Sequence, residues 1–308
     1  MHLELLHHFE HELTKIPALA GPEAGPVLEL AVREGFVTPY LMDELLALSA
    51  AHKSTLVTGN SQHGAASSYR TEAMRLQTRA LERLKAAQAE SSVSGGNGTA
   101  LFLFSTFLGQ HVLFDVFSSP RADIAAVLER FTHCLNLHRG IRTIAGNSWP
   151  QLSAQILPRK ETAAAGIPRG TECATLMDLL LTKSQMAGPS WQVCRDTVEV
   201  LQEMFDSVRA TTTGSDGRNT ASRRIIVVYE WPVRLPVGYV ELLEQRRPEA
   251  LIILAYYGVL LHRARNYWAV SDAGEYLIRA ITRHLGAYWA DWLKWPNSVL
   301  ASEPPDSS

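Results

Sequence analysis

Apolar residues recur every three or four positions along most of the chain, which is the spacing that places them on one face of a helix. Leu76, Ala80 and Leu84 show this spacing within one long segment. The segments with a helical pattern are residues 3–16, 27–33, 39–52, 69–87, 99–117, 122–144, 171–186, 191–208, 237–246, 250–265 and 273–292.

Proline, glycine and threonine mark the ends of two early helices. Pro26 in a first turn begins the segment 27–33, and Gly35 is expected to end it. Thr38 followed by Pro39 is typical of an N-cap and a first helical residue, so the next helix is predicted to begin there.

The breaks between helices are rich in glycine, proline and serine, which favours loops. Residues 225–229 (IIVVY) have strand propensity, but no alternation with a period of two persists along the chain. The pattern therefore predicts an all-α, multi-helix bundle that forms a single helical domain over residues 1–300. Loops are expected over residues 17–26, 91–98, 158–170 and 211–224, and a disordered tail over 301–308.

Composition argues against several classes of protein. The formal net charge is −2 and 46% of residues are apolar, so the chain can form a sizeable core but lacks the basic excess of most DNA-binding domains. The three cysteines, Cys134, Cys173 and Cys194, are far apart and form no C-x-x-C pair. This spacing argues against a structural zinc site and a disulfide framework, so we expect no metal and no cofactor.

The sequence indicates neither a signal peptide nor a membrane span. The N-terminal segment HLELLHHFE is too polar for the apolar core of a signal peptide. Ala250–His262 is taken as the longest apolar stretch, and it is too short to cross a bilayer. We therefore expect the protein in the nucleus, the cytoplasm or both.

Motifs for enzymatic chemistry are scarce, since the chain contains no G-x-S-x-G, P-loop or G-x-G-x-x-G sequence. His7 and His11 have the spacing of two metal ligands, but no third ligand accompanies them, so we interpret them as surface histidines. Cys134 and His138 are also four residues apart and can face each other as nucleophile and base, although a buried cysteine explains the pattern as well. Arg139 is interpreted as a structural ion-pairing residue.

Aromatic residues are concentrated in the helix predicted over 99–117 and in the region that follows Tyr256. Helical aromatic stripes usually fill a core, but a wall of this kind with polar groups inserted can also bind a ligand between helices. The spacing leaves both interpretations open. The candidates for lining a pocket are Phe104, Phe107, Gln110, His111, Phe114, His138, Tyr256, Tyr257, His262, Trp268 and Trp289.

Three stretches, in the same order over nearly the whole chain, resemble one family. They are found within residues 3–52 (LELLHHFEHEL and FVTPYLMDELLALSAAH), 100–149 (ALFLFSTFLGQHVLFDVF and LNLHRGIRTIAGNSW) and 231–296 (PEALIILAYYGVLLHRARNYW and WLKWP). Together they resemble the C-terminal regulatory, ligand-binding domain of fungal zinc-binuclear-cluster transcription regulators, and most closely the sterol uptake control protein group. No single motif is highly specific, and the ordered set carries the resemblance.

The resemblance implies an all-α domain with a central apolar pocket. In sterol-responsive members of the family this pocket binds ergosterol, ligand binding controls nuclear entry, and the same domain supports dimerisation and activation. Two features depart from the family. Tyr256 stands where the family often has histidine, and the sequence lacks the six-cysteine DNA-binding module, so no direct DNA binding through this chain is expected.

The favoured hypothesis is a transcription-regulator-like protein of fungal metabolism, secondary metabolism included, that senses an apolar sterol- or terpenoid-like metabolite. It would act as a homodimer or with a full-length relative, because it lacks its own zinc cluster. The alternative is a recruited, cofactor-independent cyclase or isomerase whose apolar pocket folds a polyene, polyketide or terpenoid substrate. A third hypothesis is a truncated form of an ordinary regulator. No catalytic residue is assigned.

Overall fold

The computed structural model describes residues 1–13, 24–57, 63–90, 98–118, 123–145, 168–182, 188–212 and 217–303. Within these ranges 88% of residues are helical and no strand occurs, which confirms the predicted all-α, multi-helix fold. The helices are α1 (His2–His11), α2 (Ala24–Val37), α3 (Pro39–Leu56), α4 (His63–Glu90), α5 (Gly98–Ser118), α6 (Ile124–Ala145), α7 (Ala174–Thr182), α8 (Pro189–Thr212), α9 (Gly217–Arg234), α10 (Val237–Glu244), α11 (Pro248–Arg263), α12 (Ala273–Leu285) and α13 (Ala290–Ser302), with a 3₁₀ turn over Ala287–Trp289.

The chain divides into two compact units. Unit 1 consists of Met1–Asp115 and His138–Glu161, and unit 2 consists of Val116–Leu137 and Thr162–Ser308. The single domain expected over residues 1–300 stays a prediction.

Helix α3 is the centre of unit 1 and packs against α1, α2 and α4. Thr38 is extended and Pro39 occupies the first turn, so α3 begins where the sequence predicts, although the Thr38 side chain makes no capping hydrogen bond. Most side chains of α3 are buried, and these include the polar residues Asp43, Glu44 and His52. A helix buried on nearly every side forces such polar groups to find partners within the protein.

Helix α5 corrects one prediction about apolar segments. By length and composition α5 is apolar enough to cross a membrane, so the choice of Ala250–His262 as the longest apolar stretch is wrong. However, 78% of the most apolar part of α5 is buried inside the protein, which is how a core helix packs.

Helix α11 is the centre of unit 2 and packs against α8, α9, α10, α12 and α13. Every residue from Glu249 to His262 is buried. Helix α12 crosses α11 closely because glycines meet there. A Cβ added to Gly274 would lie 2.2 Å from the His262 backbone nitrogen and 2.5 Å from the Gly258 carbonyl oxygen. Only glycine lets the two backbones come this close.

The predicted strand at residues 225–229 and most of the predicted loop over 211–224 are wrong. Residues 217–234 form α9, in which Ile225, Val228 and Trp231 are buried on one face. Helix propensity disfavours a β-branched residue by at most about 0.7 kcal/mol, whereas burying its side chain contributes about 1.5–3 kcal/mol. Tertiary packing therefore overrides the local preference.

Two predicted helix ends beside glycines are also wrong. Helix α2 continues through Gly35 to Val37, and a Cβ at Gly35 would lie 3.2 Å from the Met42 methyl carbon of α3. The helix predicted over 273–292 ends instead at Leu285, because Gly286 has a φ of 70° and interrupts it before the 3₁₀ turn.

Several other helix ends differ from the predicted ones, and some predicted loops lie outside the described residues. Helix α1 ends at His11, earlier than the sequence pattern predicts, whereas α3 and α4 are longer than predicted. The expected tail over 301–308 begins within α13, which continues to Ser302. The remaining predicted loop and tail residues, 17–23, 91–97, 158–167 and 304–308, lie outside the described residues.

Candidate functional site

Asp43 of α3 is a buried carboxylate that two arginines of α4 neutralise. Arg79 donates from Nε to Oδ2 at 2.8 Å and from Nη2 to Oδ1 at 2.5 Å, and Arg83 donates from Nη1 to Oδ2 at 2.8 Å. The Asp43 side chain is only 3% exposed. With three charge-assisted hydrogen bonds this carboxylate is satisfied, so it ties α3 to α4 and serves the fold.

Glu44, the next residue, pairs with a histidine of α5. Its Oε1 lies 3.0 Å from Nδ1 of His111, and both side chains are fully buried. Within the described part of the chain, the other carboxylate oxygen of Glu44 and Nε2 of His111 have no hydrogen-bond partner, and Oδ2 of Asp115 lies 3.8 Å from that nitrogen. This arrangement is a carboxylate and an imidazole held together away from water, each with one polar atom unpaired.

The electrostatics of this pair favour keeping a proton. Burial raises the pKa of Glu44, because the charged carboxylate loses its hydration. Burial also lowers the pKa of His111, but the hydrogen bond and charge of Glu44, together with the charge of Asp115, outweigh that effect, so the His111 pKa is raised.

A second buried imidazole site joins α1 to α3. Nε2 of His8 lies 3.0 Å from Nδ1 of His52, and the ring centroids are 5.1 Å apart. Each residue is only 7% exposed. Burial lowers the pKa of His8, and burial together with the His8 charge lowers the pKa of His52 to about 4, so the pair is neutral at physiological pH.

In unit 2, Tyr257 of α11 is embedded in an aromatic cluster. Its ring stacks on Trp231 of α9 with centroids 4.3 Å apart and lies 6.1 Å from the ring of Phe131. Its hydroxyl donates to the Val228 carbonyl at 2.7 Å. Trp231 in turn meets Tyr239 of α10 edge-on at 5.8 Å. Tyr257 is therefore packed and hydrogen-bonded as a core residue.

The neighbouring residue Tyr256 lies in a different environment. Its ring is 5.0 Å from Trp295 of α13, which meets Phe205 of α8 edge-on at 5.5 Å. We call these three residues the Tyr256 cluster. Tyr256 is fully buried, yet its hydroxyl has no hydrogen-bond partner among the residues that the structure describes. Burial raises the pKa of Tyr256, so the hydroxyl is a neutral donor.

A depression of unit 2 opens beside the Tyr256 cluster. It shares Phe205 with the cluster and has a cavity volume of only about 10 Å³, which is room for about one water molecule. Ligand pockets for drug-sized molecules usually measure about 300–1,000 Å³, so a sterol would have to widen this space on binding. The lining residues are Phe205, Val208, Arg224, Val227, Leu260 and Arg263.

The five α5 residues predicted to line a pocket belong to unit 1 and are all buried. Phe104 meets Tyr40 of α3 edge-on at 5.4 Å, and Phe107 meets Phe9 of α1 at 5.7 Å. These two contacts are typical of core packing between helices. The five residues are Phe104, Phe107, Gln110, His111 and Phe114.

The predicted site residues of unit 2 have separate sets of partners. His262 lies with Nε2 2.8 Å from the Glu303 carbonyl oxygen. Trp268 is 5.8 Å from the ring of Tyr267, and Trp289 is 5.2 Å from that of Trp292. The side chain of the remaining candidate, His138, lies outside the described residues.

The cysteines are buried free thiols. Burial raises the pKa of Cys173, and it raises the pKa of Cys194 to about 12. A thiol must ionise to act as a nucleophile, so these two are inert at neutral pH. In the part of the chain that the structure describes, no three His, Cys, Asp or Glu side chains are grouped to hold a metal ion.

Sequence reasoning missed three functional candidates: the Glu44 carboxylate, the His8–His52 pair and the central position of Trp295. The first had a local signal, since Asp43 and Glu44 interrupt the apolar run between Leu41 and Leu48. The pairings themselves had none, because Glu44 and His111 are 67 residues apart in sequence, and His8 and His52 are 44 apart.

Two comparisons with known proteins found similarities to this chain. Residues 4–155 match the model of the fungal specific transcription factor domain. The chain is also similar to a Zn(2)-C6 fungal-type transcription factor of Gibberella zeae, with 22% identity over 325 aligned positions that cover 96% of this chain. The chain spans 61% of the length of that relative. No solved structure matches the chain.

Proposed function

We propose that the chain is the regulatory, metabolite-sensing part of a transcription-regulator-like protein, and that unit 2 binds an apolar sterol- or terpenoid-like molecule. The match of residues 4–155 to the fungal specific transcription factor domain and the similarity to a Zn(2)-C6 factor support the regulatory role. The sensing role is a proposal that rests on unit 2.

The observation that carries the sensing role is the unpaired hydroxyl of Tyr256. Leaving a buried donor unsatisfied costs about 1–3 kcal/mol, and a ligand oxygen that accepts from the donor would recover this cost. Here the donor belongs to a ring that lies 5.0 Å from Trp295, in a cluster that shares Phe205 with the depression. A ligand with an apolar body and a single oxygen would satisfy the donor and cover the rings.

Tyr256 and Tyr257 form a matched pair for testing this proposal with ergosterol as the probe. Without ligand, Tyr256→Phe should leave the melting temperature unchanged or raise it, because it removes an unsatisfied donor. In contrast, Tyr257→Phe should destabilise the protein by about 1 kcal/mol, because it removes the hydrogen bond to the Val228 carbonyl.

For ergosterol binding, we expect the opposite: Tyr256→Phe has the larger effect of the two substitutions. Tyr256→Phe should weaken binding about 2- to 12-fold, the value of one neutral hydrogen bond, and Tyr257→Phe should leave affinity unchanged. Trp295 lies beside Tyr256, so quenching of tryptophan fluorescence during titration reports on this site. If ergosterol alters neither fluorescence nor melting temperature in the unsubstituted chain, the sterol proposal is wrong.

The proposal includes a partner. These residues contain three cysteines, and a zinc cluster of the six-cysteine type cannot be formed from them. DNA contact through such a cluster would require residues outside these 308, and the partner that we propose is a second copy of the chain or a full-length relative. Sedimentation equilibrium of the purified chain should give the mass of a dimer, and a monomer at every concentration would exclude self-association.

A further inference from the structure

Helix α3 is held to its neighbours in unit 1 by two buried imidazole sites of opposite character. One is the His8–His52 contact to α1, and the other is the Glu44–His111 contact to α5. In each pair the two hydrogen-bonded atoms are 3.0 Å apart, so one proton lies in the hydrogen bond between them.

The His8–His52 site tolerates little positive charge. At 3.0 Å, one ring donates a proton and the other accepts it, so two fully protonated rings would bring donor against donor. With each residue only 7% exposed, water cannot solvate the added charge. The titratable and charged groups that face this site are Glu4 and His7 of α1, Glu12 directly after α1, and Lys53 of α3, whose amine is 2.7 Å from Glu4.

The Glu44–His111 site has the opposite requirement. If its shared excess proton is lost, a carboxylate with one unpaired oxygen is left buried beside a neutral imidazole, with Asp115 3.8 Å from the ring. Glu44 and His111 are both fully buried, so a negative charge on Glu44 beside a neutral ring is unfavourable, and the partly exposed Asp115 adds a second negative group nearby. The facing groups are Asp43 of α3, Asp115 of α5 and Arg70 of α4, and Asp43 is itself neutralised by Arg79 and Arg83.

We propose that unit 1 is a proton-sensitive switch, in which α3 is held to α1 by a histidine pair that must stay uncharged and to α5 by a Glu–His pair that must keep its proton. The closed packing of α3 is then stable only within a window around neutral pH. This inference stands on unit 1 alone and does not depend on the ligand proposed for unit 2.

The pKa shifts determine whether each pair loses its stabilisation as the pH falls or as the pH rises. The pKa values of His8 and His52 are lowered in the folded state, so the stabilisation by this pair is present above about pH 6.5 and is lost as pH falls toward the His52 value of about 4. The pKa values of Glu44 and His111 are both raised, so their stabilisation is present below the unfolded-state value of His111 and is lost as pH rises through its folded-state value.

Hydrogen–deuterium exchange of the full chain tests the proposal, with rates corrected for the intrinsic pH dependence of exchange. Protection of α3 peptides should peak near neutrality and fall on both sides, by up to about tenfold per pH unit for each proton involved. Helix α11 of unit 2, which is buried along its length, serves as the internal reference and should not follow this profile.

Two substitutions separate the halves of the switch. Glu44→Gln should abolish the loss of protection at alkaline pH and keep the loss at acid pH, because a neutral amide can accept from His111 without a shared proton. His52→Gln should abolish the loss of protection at acid pH and keep the loss at alkaline pH. Each variant is therefore the control for the other.

The proposal fails if the exchange protection of α3 in the unsubstituted chain does not change between about pH 5 and about pH 9. It also fails if Glu44→Gln keeps the alkaline loss. Should either variant not fold, imidazole NMR of the unsubstituted chain decides the matter. One ring must then titrate above the ordinary histidine range and two below it, and titration of all three at the ordinary value overturns the switch.

Discussion

Gly274→Ala is expected to destabilise the protein by about 3 kcal/mol, which makes it one of the two most damaging substitutions that we predict. The added Cβ would lie 2.2 Å from the His262 nitrogen, 2.5 Å from the Gly258 oxygen and 2.7 Å from the His262 Cα. All three are backbone atoms of α11, so no side chain can rotate away. Helices α11 and α12 would have to separate at the centre of unit 2.

Two other glycines make a graded control series. A Cβ at Gly258 would lie 2.8 Å from Cγ1 of Ile278, a side-chain atom that can move, so Gly258→Ala should cost less than Gly274→Ala. Gly64, near the start of α4, has no atom of the described residues within 4 Å of an added Cβ, so Gly64→Ala should be neutral or stabilising by up to about 1 kcal/mol. Free energies of unfolding from urea titrations should follow this order. An equal cost at Gly64 and Gly274 would contradict the close crossing.

Periodicity predicted the class of fold because most helices have a distinct polar face. Helix α12, with Leu277, Ile278 and Ile281 buried and Arg279 exposed, is a clear example. It failed at α9, because the β-branched run around Val227 favours a strand locally and only its packing in unit 2 reveals a helix. Local rules also missed Gly286, since a glycine between helical segments can continue a helix or end it.

Residue types alone could not separate core from candidate site. Tyr256 and Tyr257 are adjacent, identical and both buried, so no sequence pattern distinguishes them. The difference is whether a carbonyl oxygen lies opposite the hydroxyl, and for Tyr257 the carbonyl belongs to Val228, 29 residues away. In the same way, His111 was selected as a polar group within an apolar helix, but its partner Glu44 emerges only when α3 and α5 are packed.

The two candidate features differ in what they need from the fold. The Glu44–His111 and His8–His52 pairs depend on closed packing of unit 1 and lose stability when their protonation changes. The Tyr256 cluster has an unsatisfied donor beside a small depression, so it would gain stability when a ligand widens that space. Proton sensing and metabolite sensing can therefore be tested separately, each with its own variants.

Trp231→Ala should cost about 3–5 kcal/mol, comparable to or larger than the loss expected for Gly274→Ala, because it removes the centre of the aromatic cluster around Tyr257. Trp231 is fully buried, stacked on Tyr257 at 4.3 Å and packed edge-on against Tyr239 at 5.8 Å. Deleting the indole leaves a cavity between α9, α10 and α11, and Tyr239 and Tyr257 cannot fill it while their hydroxyls stay bonded to Ala250 and Val228.

Trp231→Phe is the matched control for this cavity. The indole Nε1 of Trp231 has no hydrogen-bond partner among the described residues, so replacing the indole with a phenyl ring removes an unsatisfied donor and loses only part of the buried volume. We therefore expect the phenylalanine variant to lose roughly 1 kcal/mol or less, well below the loss in the alanine variant. Unfolding in urea, followed by far-ultraviolet circular dichroism, measures both free energies. A cost of less than about 1 kcal/mol for Trp231→Ala would show that this cluster does not hold α9 to α11.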